Sequence, residues 1–272
     1  MIKDLNRIYT KEDIFSQLSS MGAPRNSVVL MHSSLRLIGN IEGGAKKLLD
    51  TMIEYFTAEG GLFCVPTHTW TKIGSEITLD VNDHETCLGA FSDIAAADPR
   101  GIRSLNPSHS MMVFGERSQV LDFVKDEINV STGTAPESCY GNIYRMGGYI
   151  LLAGVAHSRN TYLHTVEEML EMPNRMSVEP VDVAVKLGNG EIVKRKVKIH
   201  QADFTNDVSL RFLKYETAFR YHGAVRDGFI GNAPTQLCDA RIMKETMEKI
   251  IKNSNGEDPL ADEKIILPKL YC

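Results

Sequence analysis

The sequence predicts an α/β protein whose central sheet is mostly parallel. Short apolar runs typical of strands that are buried on both faces alternate with amphipathic helical segments. A different pattern appears within residues 178–200, where two alternating runs flank Gly188, Asn189 and Gly190. Alternation around such a turn is typical of a β-hairpin. We therefore also expect a small antiparallel β-hairpin insertion, or a sheet edge, at about residues 176–205.

The N-terminal part of the chain alternates helix and strand. Residues 10–21 are predicted to be helical, because Thr10 stands three residues before Asp13 as in a capping box and apolar residues follow at helical spacing. The run SVVLMHSSL predicts a strand, AKKLLDTMIEYFTAEGG predicts an amphipathic helix closed by glycine, and LFCVPTHTW predicts the next strand. Strand, helix and strand at this spacing predict a βαβ unit.

The remainder continues the α/β pattern. Residues 75–110 are irregular and polar, as functional loops often are. Strands are predicted at MMVFG and YILLAG, and helices at about 161–170 and at 234–253, where Pro234 would suit a first helical turn. No repeat or linker interrupts the sequence, so we expect a single domain over residues 1–272.

Composition narrows the class of protein. The chain has 272 residues, of which 43% are apolar and 24% charged, as expected of a soluble globular protein. A net charge of −5 argues against nucleic acid as a partner. The sequence shows neither a signal peptide nor a membrane-spanning run, so no membrane partner and a cytoplasmic location are expected. The five cysteines lack zinc-ligand spacing, and neither a disulfide framework nor a metal is expected.

The segment NTYLHTVEE holds the best catalytic candidates. His164 and Glu167 are three residues apart and therefore share one face of a predicted helix. A carboxylate beside an imidazole fixes its tautomer and raises its basicity, which suits a general base. The spacing alone is also compatible with a surface ion pair. It is not an HExxH motif, and no second histidine completes a zinc pair in the same turns.

Other histidines lie near predicted strand ends. His32 and His68 follow two apolar runs, and His109 lies in SLNPSHS. The carboxyl ends of strands meet at the ligand crevice of open α/β sheets, so these side chains are expected to cluster. Three histidines with Glu167 could in principle hold a metal, which is the less favoured interpretation.

The segment from Gly39 to Lys46 lies between a predicted strand and a predicted helix, as a phosphate-binding loop would. It does not match that motif, because Ala45 stands where the motif has lysine. Gly43 and Gly44 would still let backbone N–H groups approach a phosphate closely at a helix N-terminus. The alternative is that both glycines only form a tight turn.

Five stretches that run from about residue 10 to 250 carry a family resemblance: VVLMHSSLRLIGNIEGGAKKLLDTM, GLFCVPTHTW, GAFSDIAAADPRGIRSLNPSHSMMVFG, GNIYRMGGYILLAGVAHSRNTYLHTVEEML and AVRDGFIGNAPTQLCDA. Their content and order resemble the aminoglycoside 3-N-acetyltransferase family, the antibiotic N-acetyltransferases, in its YokD-like branch. The resemblance implies a three-layer α/β/α sandwich with a mixed sheet, which is not a GNAT fold. It also implies acetyl-CoA as donor and a small primary amine as acceptor, with the 3-amino group of a 2-deoxystreptamine aminoglycoside as a candidate.

The resemblance also assigns residues. The LHxxE element makes His164 the catalytic histidine and Glu167 its glutamate. The HSSL and PTHTW segments make Ser33, Ser34, Leu35, Thr67 and Thr69 expected acetyl-CoA contacts. Independently of the resemblance, Gly43 and Gly44 of the loop described above, and Arg36, are candidates for contact with the CoA phosphates. Expected acceptor contacts are His68, His109 and Ser110. Asp83 and Glu168 are added because their acidic side chains could receive a polycationic aminoglycoside, with solvated surface as the alternative. In one departure, Asn106 replaces the first histidine of the family pattern RSxHPxHS, which affects the expected acceptor site.

Three other functions remain open from the residues. A Ser/His/Glu hydrolase could use Ser34 or Ser110, although G-x-S-x-G is absent. The chain could also be a metal-dependent hydrolase, or a CoA-binding protein without turnover. The sequence is compatible with a monomer or a homodimer.

Overall fold

The computed structural model describes residues 6–200 and 207–272. Strands and helices alternate along most of the chain. The strands are β1 Ile8–Tyr9, β2 Val28–Ser33, β3 Asn40–Ile41, β4 Leu62–Pro66, β5 Leu79–Asp80, β6 Ile102–Arg103, β7 Met111–Phe114, β8 Tyr149–Ala153, β9 Val181–Lys186, β10 Ile192–Val197, β11 Val225–Ile230 and β12 Ala233–Asp239. The helices are α1 Lys11–Ser20, α2 Leu35–Ile38, α3 Gly44–Thr57, α4 Ala90–Ala96, α5 Arg117–Phe123, α6 Cys139–Arg145, α7 Tyr162–Met169, α8 Glu216–Tyr221 and α9 Ala240–Asn253.

The central sheet is mixed. Its strand order within the described residues is β11-β12-β8-β2-β4-β7-β6. Only β2 with β4 and β2 with β8 pair in parallel, whereas the other neighbours pair antiparallel. The expectation of a mostly parallel sheet is therefore wrong. An apolar run reports burial on both faces and does not report direction, so antiparallel strands such as β7 look the same in sequence.

Helices cover both faces of this sheet, which confirms the three-layer sandwich. Successive residues of a strand point to opposite faces. Leu30 of β2 accordingly belongs to the core cluster that includes residues of α6, α7 and α9, whereas its neighbour Met31 belongs to the cluster that includes residues of α1 and α3. Both faces are buried, which explains the continuous apolar runs of the central strands.

The predicted β-hairpin is present as an insertion. Strands β9 and β10 pair antiparallel around the Gly188–Gly190 turn, and β9 also pairs in parallel with β5. The hairpin thus forms its own three-stranded sheet within the described residues and does not extend the central one. Of the predicted range 176–205, residues 201–205 lie outside the described part of the chain.

The C-terminal helix begins later than predicted. Pro234 does not start a helix, because it lies in β12 opposite Phe229 of β11, a strand that the sequence analysis missed. Helix α9 begins at Ala240, and Asp239 caps it by accepting hydrogen bonds from the N–H groups of Arg241 and Ile242. Proline is tolerated there because it is near the start of its strand, where its carbonyl accepts from the Gly154 N–H.

The predicted start of α1 is confirmed, because the Thr10 hydroxyl and the Asp13 carboxylate form the reciprocal bonds of a capping box. Among residues 6–200 and 207–272, none of the helices has the length and apolar character needed to cross a membrane.

Candidate active site

A cavity of about 950 Å³ opens at the edge of the sheet where β2, β4 and β8 end. Its wall includes Ser33 and Ser34 after β2, His68 after β4 and Val155 after β8. His164, near the start of α7, completes the wall on one side. This is the position at which ligand crevices form in open α/β sheets.

His164 and Glu167 form a pair at this wall. His164 Nδ1 lies 3.5 Å from Glu167 Oε2, and the side chains are 13% and 1% exposed. Neither atom has a hydrogen-bond partner among the described residues. A neutral imidazole carries one N–H, so a proton on Nδ1 directed at this carboxylate leaves the lone pair on Nε2. His164 can therefore accept a proton at Nε2, and the pair can tighten as charge develops.

Glu167 is itself held by Arg175, which sequence reasoning missed. Arg175 Nε lies 2.5 Å from Glu167 Oε1, and Arg175 Nη2 lies 2.8 Å from Asp258 Oδ1. The arginine compensates a carboxylate that would otherwise be buried and unpaired. Arg175 lies beyond the end of α7, and Asp258 is 83 residues further along the chain, so no local pattern connects them with Glu167.

Four imidazole rings form an array beside the cavity. The ring centroids of His68 and His109 are 4.7 Å apart, those of His109 and His200 are 5.7 Å apart, and those of His200 and His164 are 4.2 Å apart. Burial, reinforced by neighbouring histidines, lowers the pKa of His68, His109 and His200 well below the ordinary value. These three rings are therefore neutral near pH 7.

His200 and Gly133 are two cavity residues that sequence reasoning missed. His200 follows the β9–β10 hairpin, so the insertion delivers one member of the array. Gly133 lies so close to the array that an added Cβ would be 2.1 Å from His109 Nδ1. The glycine in TGT was the available signal for this close approach. Nothing in the alternation of the hairpin strands indicated His200.

The expected acetyl-CoA contacts divide into two groups. Ser33, Ser34 and Leu35 line the cavity. The Ser34 N–H donates to the Ala153 carbonyl at 2.9 Å, so only the Ser34 hydroxyl remains as a donor toward the cavity. Thr67 and Thr69 are buried outside the lining, and the Thr69 hydroxyl donates to the Pro107 carbonyl.

The proposed phosphate contacts also lie outside the cavity wall. Arg36, Gly43 and Gly44 are exposed. Gly43 and Gly44 have φ values of +74° and +72° at the N-terminus of α3, a left-handed conformation that favours glycine. Their backbone conformation therefore accounts for both glycines without a ligand, and a phosphate role stays a prediction.

Of the expected acceptor contacts, His68 and His109 line the cavity, whereas Asp83, Ser110 and Glu168 do not. The guanidinium of Arg103 donates to the Ser110 hydroxyl and to the carbonyl of Asp83, and burial lowers the Arg103 pKa to about 10. Asp83 and Ser110 are thus part of the loop framework behind the site. Glu168 accepts hydrogen bonds from the Thr132 and Thr134 hydroxyls, each at 2.6 Å.

Asn106, which departs from the family pattern, shapes the loop that carries His109. Its Oδ1 accepts from the N–H groups of Ser108 and His109, and its Nδ2 donates to the Gly133 carbonyl at 2.9 Å. The residue is fully buried and outside the lining. Its role in this chain is to position the loop.

Comparison with known proteins gives the family. A sequence model of the aminoglycoside 3-N-acetyltransferase family matches residues 30–252. A prophage-derived aminoglycoside N(3')-acetyltransferase-like protein, YokD of Bacillus subtilis (strain 168), is 21% identical, with 92% of this chain and 94% of that protein covered. The crystal structure of YokD superposes with a TM-score of 0.78 at 20% identity, covering 93% of this chain and 97% of that one.

Two further structures share the fold. A mutant of aminoglycoside acetyltransferase AAC(3)-IVa in complex with a gentamicin has a TM-score of 0.75 at 22% identity, covering 95% of each chain. AAC-IIIb in a binary complex with CoASH has a TM-score of 0.71 at 17% identity, covering 88% of this chain and 94% of that one. Because the family model matches most of the sequence, the chain belongs to the aminoglycoside 3-N-acetyltransferase family, a family of acyltransferases.

Proposed function

We propose that this protein transfers an acetyl group from acetyl-CoA to a primary amine, with His164 as general base and Glu167 as its supporting carboxylate. One observation carries the proposal: the imidazole with its buried carboxylate lies at the wall of a cavity at the ligand edge of the sheet. The CoASH complex of AAC-IIIb supports the choice of donor. Acetyl-CoA is an intracellular metabolite, so the proposed reaction belongs in the cytoplasm.

The chemistry requires a deprotonated amine. An ammonium group gives a proton to His164 Nε2, and the freed nitrogen lone pair attacks the thioester carbonyl carbon. The imidazolium that forms is stabilised by Glu167 at Nδ1. After the attack the nitrogen still carries two hydrogens, and it releases one proton to solvent. The tetrahedral intermediate then collapses with cleavage of the carbon–sulfur bond, and the leaving CoA thiolate takes a proton from His164. The base is thereby regenerated, and no acyl-enzyme is formed.

The negative oxygen of the intermediate needs a donor. The Ser34 hydroxyl is the proposed donor, because Ser34 lines the cavity. The Ser34 N–H is not proposed, because it already donates to the Ala153 carbonyl. One such donor contributes about 3–4 kcal/mol to the barrier in precedent systems. Thr69 is not proposed, because both its N–H and its hydroxyl donate to the loop that contains Pro107 and Ser108.

The acceptor is proposed to be a polar amine. Neutral histidines such as His68 and His109 at the cavity wall can accept or donate hydrogen bonds to a polar substrate. An aminoglycoside acetylated at its 3-amino group is the specific candidate, supported by the family and by the gentamicin complex of AAC(3)-IVa. Within the described lining, Asp207 is the one carboxylate, and its Oδ1 accepts from the Ser209 N–H. Simple primary amines therefore belong in the same test.

The test separates transfer, hydrolysis and binding. Purified protein is incubated with acetyl-CoA and a panel of aminoglycosides and simple amines, and both CoA thiol release and N-acetylated product are measured. Amine-dependent thiol release with equal N-acetyl product supports the transferase. Thiol and acetate released without an amine indicate a hydrolase, and loss of that reaction in EDTA would make it metal-dependent. Calorimetric binding of CoA without either reaction indicates a binding protein.

A further inference from the structure

His200 lies against the proposed base and has no assigned role. Its ring is centred 4.2 Å from that of His164, with the planes tilted by 34°. Phe212 packs edge-on against His164, with centroids 4.9 Å apart. The base imidazole is therefore held between two rings, which restricts its rotation. Phenylalanine would have filled the His200 position without polar atoms, so the imidazole itself requires an explanation.

A hydrogen-bond chain fixes the tautomer of His200. The Thr134 hydroxyl is 2.6 Å from Glu168 Oε1 and 2.8 Å from His200 Nε2. Glu168 also accepts from Thr132, and two hydroxyl donors are what an ionised carboxylate binds. The Thr134 proton therefore points to Glu168, and the Thr134 oxygen accepts from His200 Nε2–H. His200 Nδ1 is left as a lone pair, buried and without a partner among the described residues.

Charge favours one distribution of protons in this cluster. Burial, then His164 and His68, lowers the pKa of His200 well below its ordinary value. A neutral His200 ring, polarised through Thr134 by a carboxylate, attracts a positive ring packed against it. Two positive rings at this distance would repel. The charged and titratable groups that face His164 are Glu167 with Arg175 behind it, Glu168, His200, His109 and His68.

We propose that His200 is a positioning residue for His164: held neutral and in one tautomer by Thr134 and Glu168, its ring fixes the plane of the base and stabilises its protonated form. The proposal rests on the proposed function, in which His164 carries a proton during each turnover. It explains why the protein tolerates a buried His200 Nδ1 that has no hydrogen-bond partner among the described residues. It also gives the β9–β10 insertion a role, since the segment after the hairpin supplies this ring.

Two substitutions test the hydrogen-bond chain from Glu168 through Thr134 to His200. His200→Phe keeps a ring but removes both nitrogens, and Thr134→Val keeps the volume but removes the hydroxyl. Each is expected to move the acidic limb of the kcat/KM profile to lower pH by about half a unit, a roughly threefold change in proton affinity. Each should lower kcat by about tenfold with the KM for acetyl-CoA unchanged within about twofold. The double variant should shift the limb no further than His200→Phe alone, because both changes break one chain.

Thr246→Val is the matched control. Thr246 is a buried threonine of α9 whose hydroxyl donates to the Ile242 carbonyl, outside the cavity lining. This variant should keep the wild-type pH profile. An equal shift of the acidic limb in Thr246→Val would show that any change of a buried threonine disturbs the site. That result would overturn the proposal.

A second measurement does not depend on turnover. Histidine-labelled protein is titrated by NMR, and the His164 signal is identified by its absence in His164→Asn. The midpoint of the His164 titration should fall in His200→Phe and Thr134→Val but not in Thr246→Val. Unchanged midpoints in folded variants would overturn the proposal and make His200 a packing residue. If the wild type transfers no acetyl group, the proposed function fails by itself, while this titration still reports on the pairing of the two rings.

Discussion

Arg175 Nε lies 2.5 Å from Oε1 of Glu167, while Oε2 of the same carboxylate faces His164 Nδ1 at 3.5 Å. One buried carboxylate therefore faces the imidazole of His164, the proposed base, on one side and is compensated by a guanidinium on the other. Glu167 is therefore expected to affect both the stability of the fold and the proposed catalytic role of His164. Substitutions can separate these two effects.

Arg175→Met should destabilise the protein and impair catalysis together. Removing the guanidinium leaves Glu167 buried and unpaired, which costs about 3–5 kcal/mol in comparable buried pairs. Urea unfolding at pH 7.5 measures this loss. In the double variant Arg175→Met with Glu167→Gln the uncompensated charge is gone, so stability should recover in part while acetyl transfer stays low. A double variant no more stable than Arg175→Met would show that Arg175 acts by packing.

His164→Ala should lower kcat by about 10²–10⁴-fold, the usual contribution of a general base. CoA affinity, measured by calorimetry, should stay within a few fold, because the imidazole acts on the proton of the amine. His84→Ala, at an exposed histidine outside the cavity lining, is the control and should retain wild-type turnover. A His164→Ala enzyme with more than about a third of wild-type kcat would contradict the assigned role, since that loss is far below the expected range.

The sequence could bring His164 and Glu167, the proposed base and its carboxylate, together because one helix carries both. His164 and Glu167 are neighbours through helical periodicity alone. Arg175, Asp258 and His200 reach the same site through tertiary packing, which no local spacing encodes. The sequence thus supplied the pair but not the groups that control its charge.

The residues at the ends of β2 and β4 lie at the edge of the sheet where the cavity opens, but not all of them face the cavity. His68 faces the cavity, whereas the hydroxyls of Thr67 and Thr69 face Ser110 and the Pro107 carbonyl. Successive residues of an extended chain point to opposite sides, so His68 and its two neighbours cannot all line one cavity. The sequence pattern gives this alternation but does not indicate which set faces the cavity.

Glu127 should make stability depend on pH. The side chain is 2% exposed, Oε1 accepts from the Cys139 N–H at 2.5 Å, and burial raises its pKa to about 7. The folded state then binds the proton more tightly than the unfolded chain, so stability falls as pH rises from about 4.5 to about 7. The full loss above that window is about 3 kcal/mol.

Glu127→Gln removes this titration. The free energy of unfolding of the variant relative to wild type should therefore rise between pH 5 and pH 8, as measured by urea unfolding at several pH values. Glu191→Gln, at an exposed position, should give a difference that does not change with pH. A constant difference for Glu127→Gln as well would mean that this carboxyl ionises normally in the folded protein.

The predicted phosphate contact at the N-terminus of α3 can be tested by comparing substitutions of glycines at the two ends of this helix. Gly44 has φ +72° and Gly60, beyond the other end, has φ +83°, and an added Cβ would have no neighbour within 4 Å at either position. Valine should strain both turns similarly.

The thioester and the pyrophosphate are at different parts of CoA, so the phosphates can lie outside the cavity that holds His164. If backbone N–H groups at this end bind them, Gly44→Val should raise the KM for acetyl-CoA at least tenfold, about 1.4 kcal/mol, whereas Gly60→Val should not. Steady-state kinetics on both variants measure the KM for acetyl-CoA. Unfolding curves check that the two variants are similarly stable. Equal KM values would make the Gly43-Gly44 turn a connector only.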